Sequence, residues 1–573
     1  MKRIRINWHS PTWYLLQVDD RLLLILISIA VGLCSGFAAL CLQTGLETCF
    51  MFLHPLRHYW WAIGIPAIGA SLSFLFLERI VKEGIGHGIP EIIYSVSRHG
   101  GVLKFQSSYS KLIASCLTIG SGGSAGPEAP VVMSGASIGS NIGKLLKLNE
   151  RQRVTLIGCG SAGAIAAIFN APIAGMVFSI EVILEEWTAS HIVPIAIASV
   201  TGAELSRVLR GNSLIFDSTR FHLSLTDIFA SIGLAIIAAL ASILLTRILR
   251  GMRKIETKIS LQGWIKAALG GFFVGAIGMF YPIVLGEGYH SIQQILEGTL
   301  SGSILAVMVM CLCKILATSF TLGWGGSGGI FAPCLVIGSL VGLLYHQILI
   351  YTSPTIAWVN QGCFALLGMA GLISGTLQAP LTGIFLIIEI TGGYDVIVPL
   401  IIVSTLSSTI CHYIEPASLY FKELVEKGHL LRPGTDARIL AEMCIPELLE
   451  KDCSIVHPNI LLRDFINIIK KSRRNHFAVE DEKTGNFLGM IHLDDIRSYL
   501  FDPLLYDAVF VGQLIDNQVE TVPLNADLNQ VLKRMDSKHL FSMPVVDKHT
   551  FVGMISKATL LDKYRKELLV QTD

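Results

Sequence analysis

Apolar positions along this chain come in long, nearly unbroken runs. No charged residue occurs from Leu22 to Leu42, a stretch long enough to cross a bilayer as a helix. Further apolar runs are Tyr59 to Leu77, Thr155 to Ile180, Ile228 to Leu245, Trp264 to Val284, Ile304 to Leu322, Phe364 to Ile390 and Val396 to Cys411. The pattern predicts an α-helical polytopic membrane protein. Gly and Pro cut many of these runs. Broken helices at membrane depth free backbone groups, which are tolerated only where they line a polar cavity or bind something.

The pattern changes near residue 422, where charged residues of both signs become frequent. Leu462, Phe465, Ile466 and Ile469 are helix-spaced, followed by the short apolar stretches 477–481 (FAVED) and 489–491 (GMI). The same order recurs: Leu528, Val531, Leu532 and Met535, then 543–547 (MPVVD) and 553–555 (GMI). Helical stripes alternating with strand-length runs predict an α/β tail made of two copies.

Composition adds little beyond confirming the class. Of 573 residues, 52% are hydrophobic and 15% charged, against about 25% charged in soluble domains. The mean hydropathy is +0.59. Lys2, Arg3, Arg5 and Arg21 precede or flank the first span and set the N-terminus in the cytoplasm. No cleavage site precedes that span, which is expected to remain as an anchor. The twelve cysteines are scattered, mostly inside apolar runs, and are read as reduced packing thiols without a metal cluster. No Ser/His/Asp set, HExxH or Walker loop appears, so an enzyme is not expected.

The membrane part repeats itself. Residues 123–139 read GSAGPEAPVVMSGASIG and residues 326–342 read GSGGIFAPCLVIGSLVG. Pro130 is followed by glycine at +5 and +9, as is Pro333. These frameworks lie 203 positions apart. A second pair, APIAGMVFSIE (171–181) and APLTGIFLIIE (379–389), lies 208 apart. Each half opens with a long helix, near 21–50 and 227–258. Basic residues precede the first and end the second, at Arg247, Arg250, Arg253, Lys254 and Lys258, so the two run in opposite directions. Inverted repeats of this kind place a site at the midplane. The linker 211–227 is then extracellular and the C-terminus cytoplasmic, in a cell inner (plasma) membrane.

The segments GPEAP and GIFAP read as helix starts, where free N–H groups suit an anion. Their glycines are expected to let the backbone approach the ion. Only the first copy carries an acid, Glu128. An intramembrane carboxylate is expensive and functional by default. At an anion site it can stand in the place of the anion and leave when protonated.

These residues resemble the CLC family of chloride channels and proton-coupled chloride exchangers. The motifs are GHGIPE (86–91), GPEAP (126–130), GGIFAP (328–333) and LYFKEL around Tyr420. The resemblance implies an inverted-repeat CLC-like membrane fold, a homodimer with a pathway in each subunit, and chloride or a similar small anion as substrate. It implies Glu128 as the gate. It implies His87, Gly88, Ile330, Phe331 and Tyr420 at the anion. The tail resembles a tandem CBS pair, an α/β module that in some members binds adenine nucleotide. Copy one reads His492-x-x-Asp495 and copy two Ser556-x-x-Thr559, making Asp495 the candidate nucleotide residue.

Three departures from the family pattern bear on function. His87 replaces a serine, which implies a backbone role or a changed selectivity and pH response. Pro127 replaces a basic residue and Ala129 a glycine. Val182 stands where exchangers usually carry a second, inner glutamate. Val cannot carry a proton, so the residue favours a voltage- or pH-gated channel, with chloride/proton antiport as the alternative and a non-conducting sensor more distant. Glu181 and Glu389 recur in both halves and are read as structural. The expected parts are the cytoplasmic N-terminus (1–20), membrane repeats 21–210 and 228–421 around the 211–227 linker, a linker at 422–439, and CBS copies at 440–508 and 509–573. Membrane lipid is an expected partner and nucleic acid is not. No cofactor is expected beyond the possible nucleotide.

Overall fold

The computed structural model describes residues 20–53, 55–56, 59–84, 88–98, 100–212, 214, 216, 221, 223–300, 302–426, 443, 445–472 and 474–572. The chain divides into a unit up to Leu430 and another from Leu431 onward.

The first half of the membrane unit contains α1 (Asp20–Leu53), α2 (Ile65–Leu75), α3 (Ile89–Arg98), α4 (Ser107–Gly120), α5 (Glu128–Leu145), α6 (Glu150–Phe169), α7 (Pro172–Phe178) and α8 (Ala189–Arg210). The second contains α9 (Leu225–Lys258), α10 (Gly263–Phe280), α11 (Tyr289–Leu296), α12 (Ile304–Gly323), α13 (Phe331–Thr352), α14 (Gln361–Leu377), α15 (Pro380–Thr391), α16 (Ile397–Ile414) and α17 (Leu419–Glu426). Nine helices among the described residues are long and apolar enough to cross a membrane. Both opening helices, α1 and α9, have 34 residues. Each is about 50 Å long, more than the hydrocarbon thickness, so both must tilt or emerge from it. A reciprocal Ser224–Asp227 capping box starts α9.

Two apolar runs that read as continuous are each two helices. Asn170 (φ 51°) ends α6 and Gln378 (φ 57°) ends α14, both left-handed. Ala171-Pro172 and Ala379-Pro380 then start α7 and α15 with proline in the first turn, the position where a missing N–H costs least. Hydropathy averaged over a span does not register such a break, because one Asn or Gln and a few threonines barely lower it.

The repeated glycines pack helices together. A Cβ at Gly135 or Gly139 would overlap the carbonyls of Gly160 and Leu156 in α6. A Cβ at Gly338 or Gly342 would do the same to the carbonyls of Gly368 and Phe364 in α14. The glycines at +5 and +9 therefore bring α5 onto α6 and α13 onto α14, rather than bringing backbone to an ion.

Pairs of hydrogen bonds relate the halves by an approximate twofold. Gly126 N–H donates to Gly329 O (2.8 Å), and Gly329 N–H donates to Gly126 O (2.6 Å). Ser124 N–H donates to Thr321 Oγ1 (3.0 Å), and Ser327 N–H donates to Thr118 Oγ1 (3.2 Å). Each partner lies 203 positions from its equivalent. The two glycine frameworks thus face each other across the axis, which brings the starts of α5 and α13 together.

The tail holds two three-stranded sheets. In one, β1 (Ser454–Val456) pairs parallel with β2 (His476–Glu480), which pairs antiparallel with β3 (Phe487–His492). The other repeats this order with β4 (Val522–Pro523), β5 (Ser542–Asp547) and β6 (Thr550–Ser556). The helices Leu462–Lys471 and Leu528–Ser537 place Leu462, Phe465, Leu528, Val531 and Met535 in the two tail cores. These are the helix-spaced residues of the repeated pattern.

Candidate functional site

Glu128 is the first residue of α5, with Pro127 before it as the cap. It is 1% exposed. Its Oε1 accepts a hydrogen bond of 2.9 Å from the Tyr289 hydroxyl at the start of α11. Its Oε2 has no hydrogen-bond partner among the described residues. A Cβ on Gly126 would overlap that oxygen, and a Cβ on Gly329 would lie 3.1 Å from it. Glycine is required here for a steric reason, because the carboxylate lies directly against both repeated loops.

Around this carboxylate stand most of the residues singled out from the sequence. Ile330 caps α13 and Phe331 is its first residue. Both are 2% exposed, and the Phe331 ring packs against Phe169 and Phe178 with centroids 5.8 and 5.9 Å apart. Gly88 has φ +83°, and a Cβ there would lie 2.9 Å from Met133 of α5. Tyr420, in α17, is 2% exposed and lies within Coulombic range of Glu128 and of Cys334 in α13. His87 lies outside the described residues, so its ring has no place in this description. The chemistry available is anion coordination. Two helix starts converge on one point, and that point is filled by the chain's own carboxylate.

Glu181 and Val182 lie in a π-helical turn, Ser179–Leu184, that extends α7. The Glu181 carboxylate accepts from the N–H groups of Leu381 (3.1 Å) and Thr382 (2.7 Å) and from Thr382 Oγ1 (2.7 Å). Glu389 does the same for Ile173 (3.0 Å) and Ala174 (2.7 Å). Each acid thus satisfies the free N–H groups that start the other half's Ala-Pro helix. Val182 is buried.

Tyr289 was not singled out from the sequence, although a third repeat marks it. Gly84-Ile85-Gly86-His87 matches Gly286-Glu287-Gly288-Tyr289 at an offset of 202. Two buried lysines, 203 apart, hold the paired loops. Lys111 Nζ donates to Gly84 O (2.7 Å), and Lys314 Nζ donates to Val284 O and Gly286 O (both 3.1 Å). Ammonium groups serve here as donors to loop carbonyls that lack helical partners.

In the tail, a cavity of about 270 Å³ is lined by Glu450, Arg474, His476, Phe541, Ser556 and Lys557, among others. The hydroxyls of Ser556 (2.5 Å) and Thr559 both donate to Glu450 Oε1. Arg474 pairs with Glu450 Oε2 at 2.8 Å. The second copy's Ser-x-x-Thr is therefore engaged by the chain itself. His476 faces His492 with the two Nδ1 atoms 2.7 Å apart, and burial, then that neighbour, holds its pKa below the ordinary value. Asp495 is exposed and does not line this cavity.

Residues 68–412 match the family model described as voltage gated chloride channel, and residues 446–502 and 511–566 match the CBS domain. The chain is 31% identical over 355 residues to an H(+)/Cl(−) exchange transporter, ClcA, of Vibrio cholerae, covering 59% of this chain and 74% of that one. It is 27% identical over 567 residues to chloride channel protein CLC-f of Arabidopsis thaliana, covering 86% and 70%. A crystal structure of a eukaryotic CLC transporter superposes with a TM-score of 0.64 at 18% identity, covering 96% of this chain and 99% of that one, which shows the fold. With the paired frameworks, Glu128 between two helix starts and two CBS copies in the tail, the chain belongs to the CLC family of chloride transport proteins.

Proposed function

We propose that this chain exchanges chloride for protons across the membrane, with Glu128 as the group both ions use in turn. The observation that carries the reading is the seat of its carboxylate. It is buried between the starts of α5 and α13, accepts a hydrogen bond from Tyr289, and faces the N–H groups of Glu128 and Ala332 at those helix starts. As an anion it fills the position that suits chloride. Protonation removes its charge and its claim on that position, so each proton taken up by Glu128 frees the seat for chloride. The similarity to a relative named as an H(+)/Cl(−) exchange transporter supports exchange over simple conduction.

A channel is the second reading, and Val182 favours it. An apolar residue there gives the inner half no acid at that position, and Glu181 is occupied by three donors. Under exchange, the proton crosses the inner half by a route that uses neither residue. The two readings separate in liposomes. An outward chloride gradient should drive protons inward against their own gradient, in fixed ratio to chloride. Chloride efflux with no uphill proton movement would make the chain a channel. For orientation we adopt the charge distribution, with both termini cytoplasmic and the 211–227 linker outside.

A further inference from the structure

Glu287 belongs to none of the roles above, although it lies two residues before Tyr289, which holds the gate. It lines a cavity of about 1140 Å³ together with Tyr59, Trp60, Tyr281, Tyr289 and Gln294. Tyr289 also stacks edge-on with Phe216 of the 211–227 linker, centroids 5.9 Å apart, so the cavity lies on the linker's side. One wall residue, Tyr289, therefore touches both this cavity and Glu128. Among the described residues, the charges within Coulombic range of Glu287 are Glu128, Glu47 and Lys314. Glu47 is paired with Arg210, and the Lys314 ammonium is turned to the carbonyls of Val284 and Gly286. His290 also lines the cavity.

The repeated loop makes the position unusual. The first half has Ile85 where the second has Glu287, and His87 where the second has Tyr289. The second half's loop thus carries an acid two residues before Tyr289, the hydrogen-bond partner of Glu128.

We propose that Glu287 is the proton-loading group for Glu128 on the linker side, and that Tyr289 is the positioning residue that holds the Glu128 carboxylate in the anion path. The step is a proton transfer. A proton leaves cavity water for the Glu287 carboxylate, then leaves Glu287 for Glu128. The neutral Glu128 acid gives up its place to the anion, and Glu287 returns to the anionic form. While anionic, Glu287 also favours a proton on Glu128 by like-charge repulsion. The inference rests on Glu128 as the gate but not on exchange, because channel and exchanger alike would need that proton.

Chloride efflux from liposomes, measured at symmetric pH from 4.5 to 7.5, tests it. In Glu287→Gln the pH midpoint of activation should move to acid by about one unit, the size of a single nearby-charge effect. Glu287→Asp should restore most of the wild-type profile. Tyr289→Phe should raise the efflux at pH 7.5 several-fold, because the carboxylate loses its tether. Glu128→Gln serves as the control. A flat profile in that variant with an unshifted profile in folded Glu287→Gln would overturn the proposal while leaving the gate in place. If Glu128→Gln keeps the wild-type profile, the gate assignment fails instead. Should Glu287 serve only as the counter-charge of Lys314, Glu287→Gln would lower the yield of folded protein and leave the midpoint where it was, which also overturns the proposal.

Discussion

Glu128→Gln should give a protein whose chloride efflux barely responds to pH and which moves no protons. The amide is nearly isosteric with the protonated acid and, like it, carries no charge, so it gives up the seat against Gly126 and Gly329 to the anion at every pH. Over two pH units, wild-type flux governed by one titrating carboxyl should change by about fourfold or more, and the variant by less than about twofold. Efflux from liposomes at pH 5.5 and 7.5, with a proton-sensitive dye outside, reads both. A steep response surviving in the variant would place the controlling group elsewhere, with His87 the next residue to replace.

The second large effect is structural. Glu181→Ala and Glu389→Ala should each cost several kcal/mol. Each removes a buried acceptor from two helix-start N–H groups, and hydrogen bonds to charged groups are worth about 1.5–3 kcal/mol apiece. Because the two acids cap each other's halves, the losses should be similar. Thr382 Oγ1 adds a third bond at Glu181, which should make that site the costlier. Thermal unfolding of detergent-solubilised protein would show either variant losing its cooperative transition or melting far below wild type. Glu181→Gln keeps an acceptor and should lose less. If Glu181→Gln remains stable but stops proton movement selectively, Glu181 is an inner proton site and its structural role is secondary.

The duplication explains what could be read from sequence. Two motif pairs at offsets of 203 and 208 marked the duplication, the basic residues around the opening helices indicated its inversion, and the acid present in only one framework picked out Glu128. The tail's two copies were legible because helical and strand spacings recur in the same order. The partners of Glu181 and Glu389 were not legible, since a side chain that caps a helix some 200 residues away leaves no local signal. The glycines at +5 and +9 were visible, but their helix-packing role was not. A small residue that permits helix contact and one that permits ion contact look identical in a sequence, and only Gly126 and Gly329 lie against the carboxylate. Tyr289 was hidden for another reason. Its loop repeats at 202 rather than 203, and the residues after it, His290-Ser291, bear no likeness to Gly88-Ile89. The buried lysines Lys111 and Lys314 sit in helices whose remaining residues are mainly apolar or small, and nothing local indicates the loop carbonyls they reach.

That the Glu128 carboxylate occupies an anion's position is open to one direct measurement. Crystals of the Glu128→Gln variant grown in bromide would be compared with wild-type crystals by anomalous diffraction. Bromide should appear in the variant where the wild-type carboxylate lies, beside Gly126, Gly329 and the Tyr289 hydroxyl, and that position should be free of bromide in the wild type near neutral pH. An empty position in the variant, or equal occupancy in both proteins, would contradict the proposed competition between anion and carboxylate.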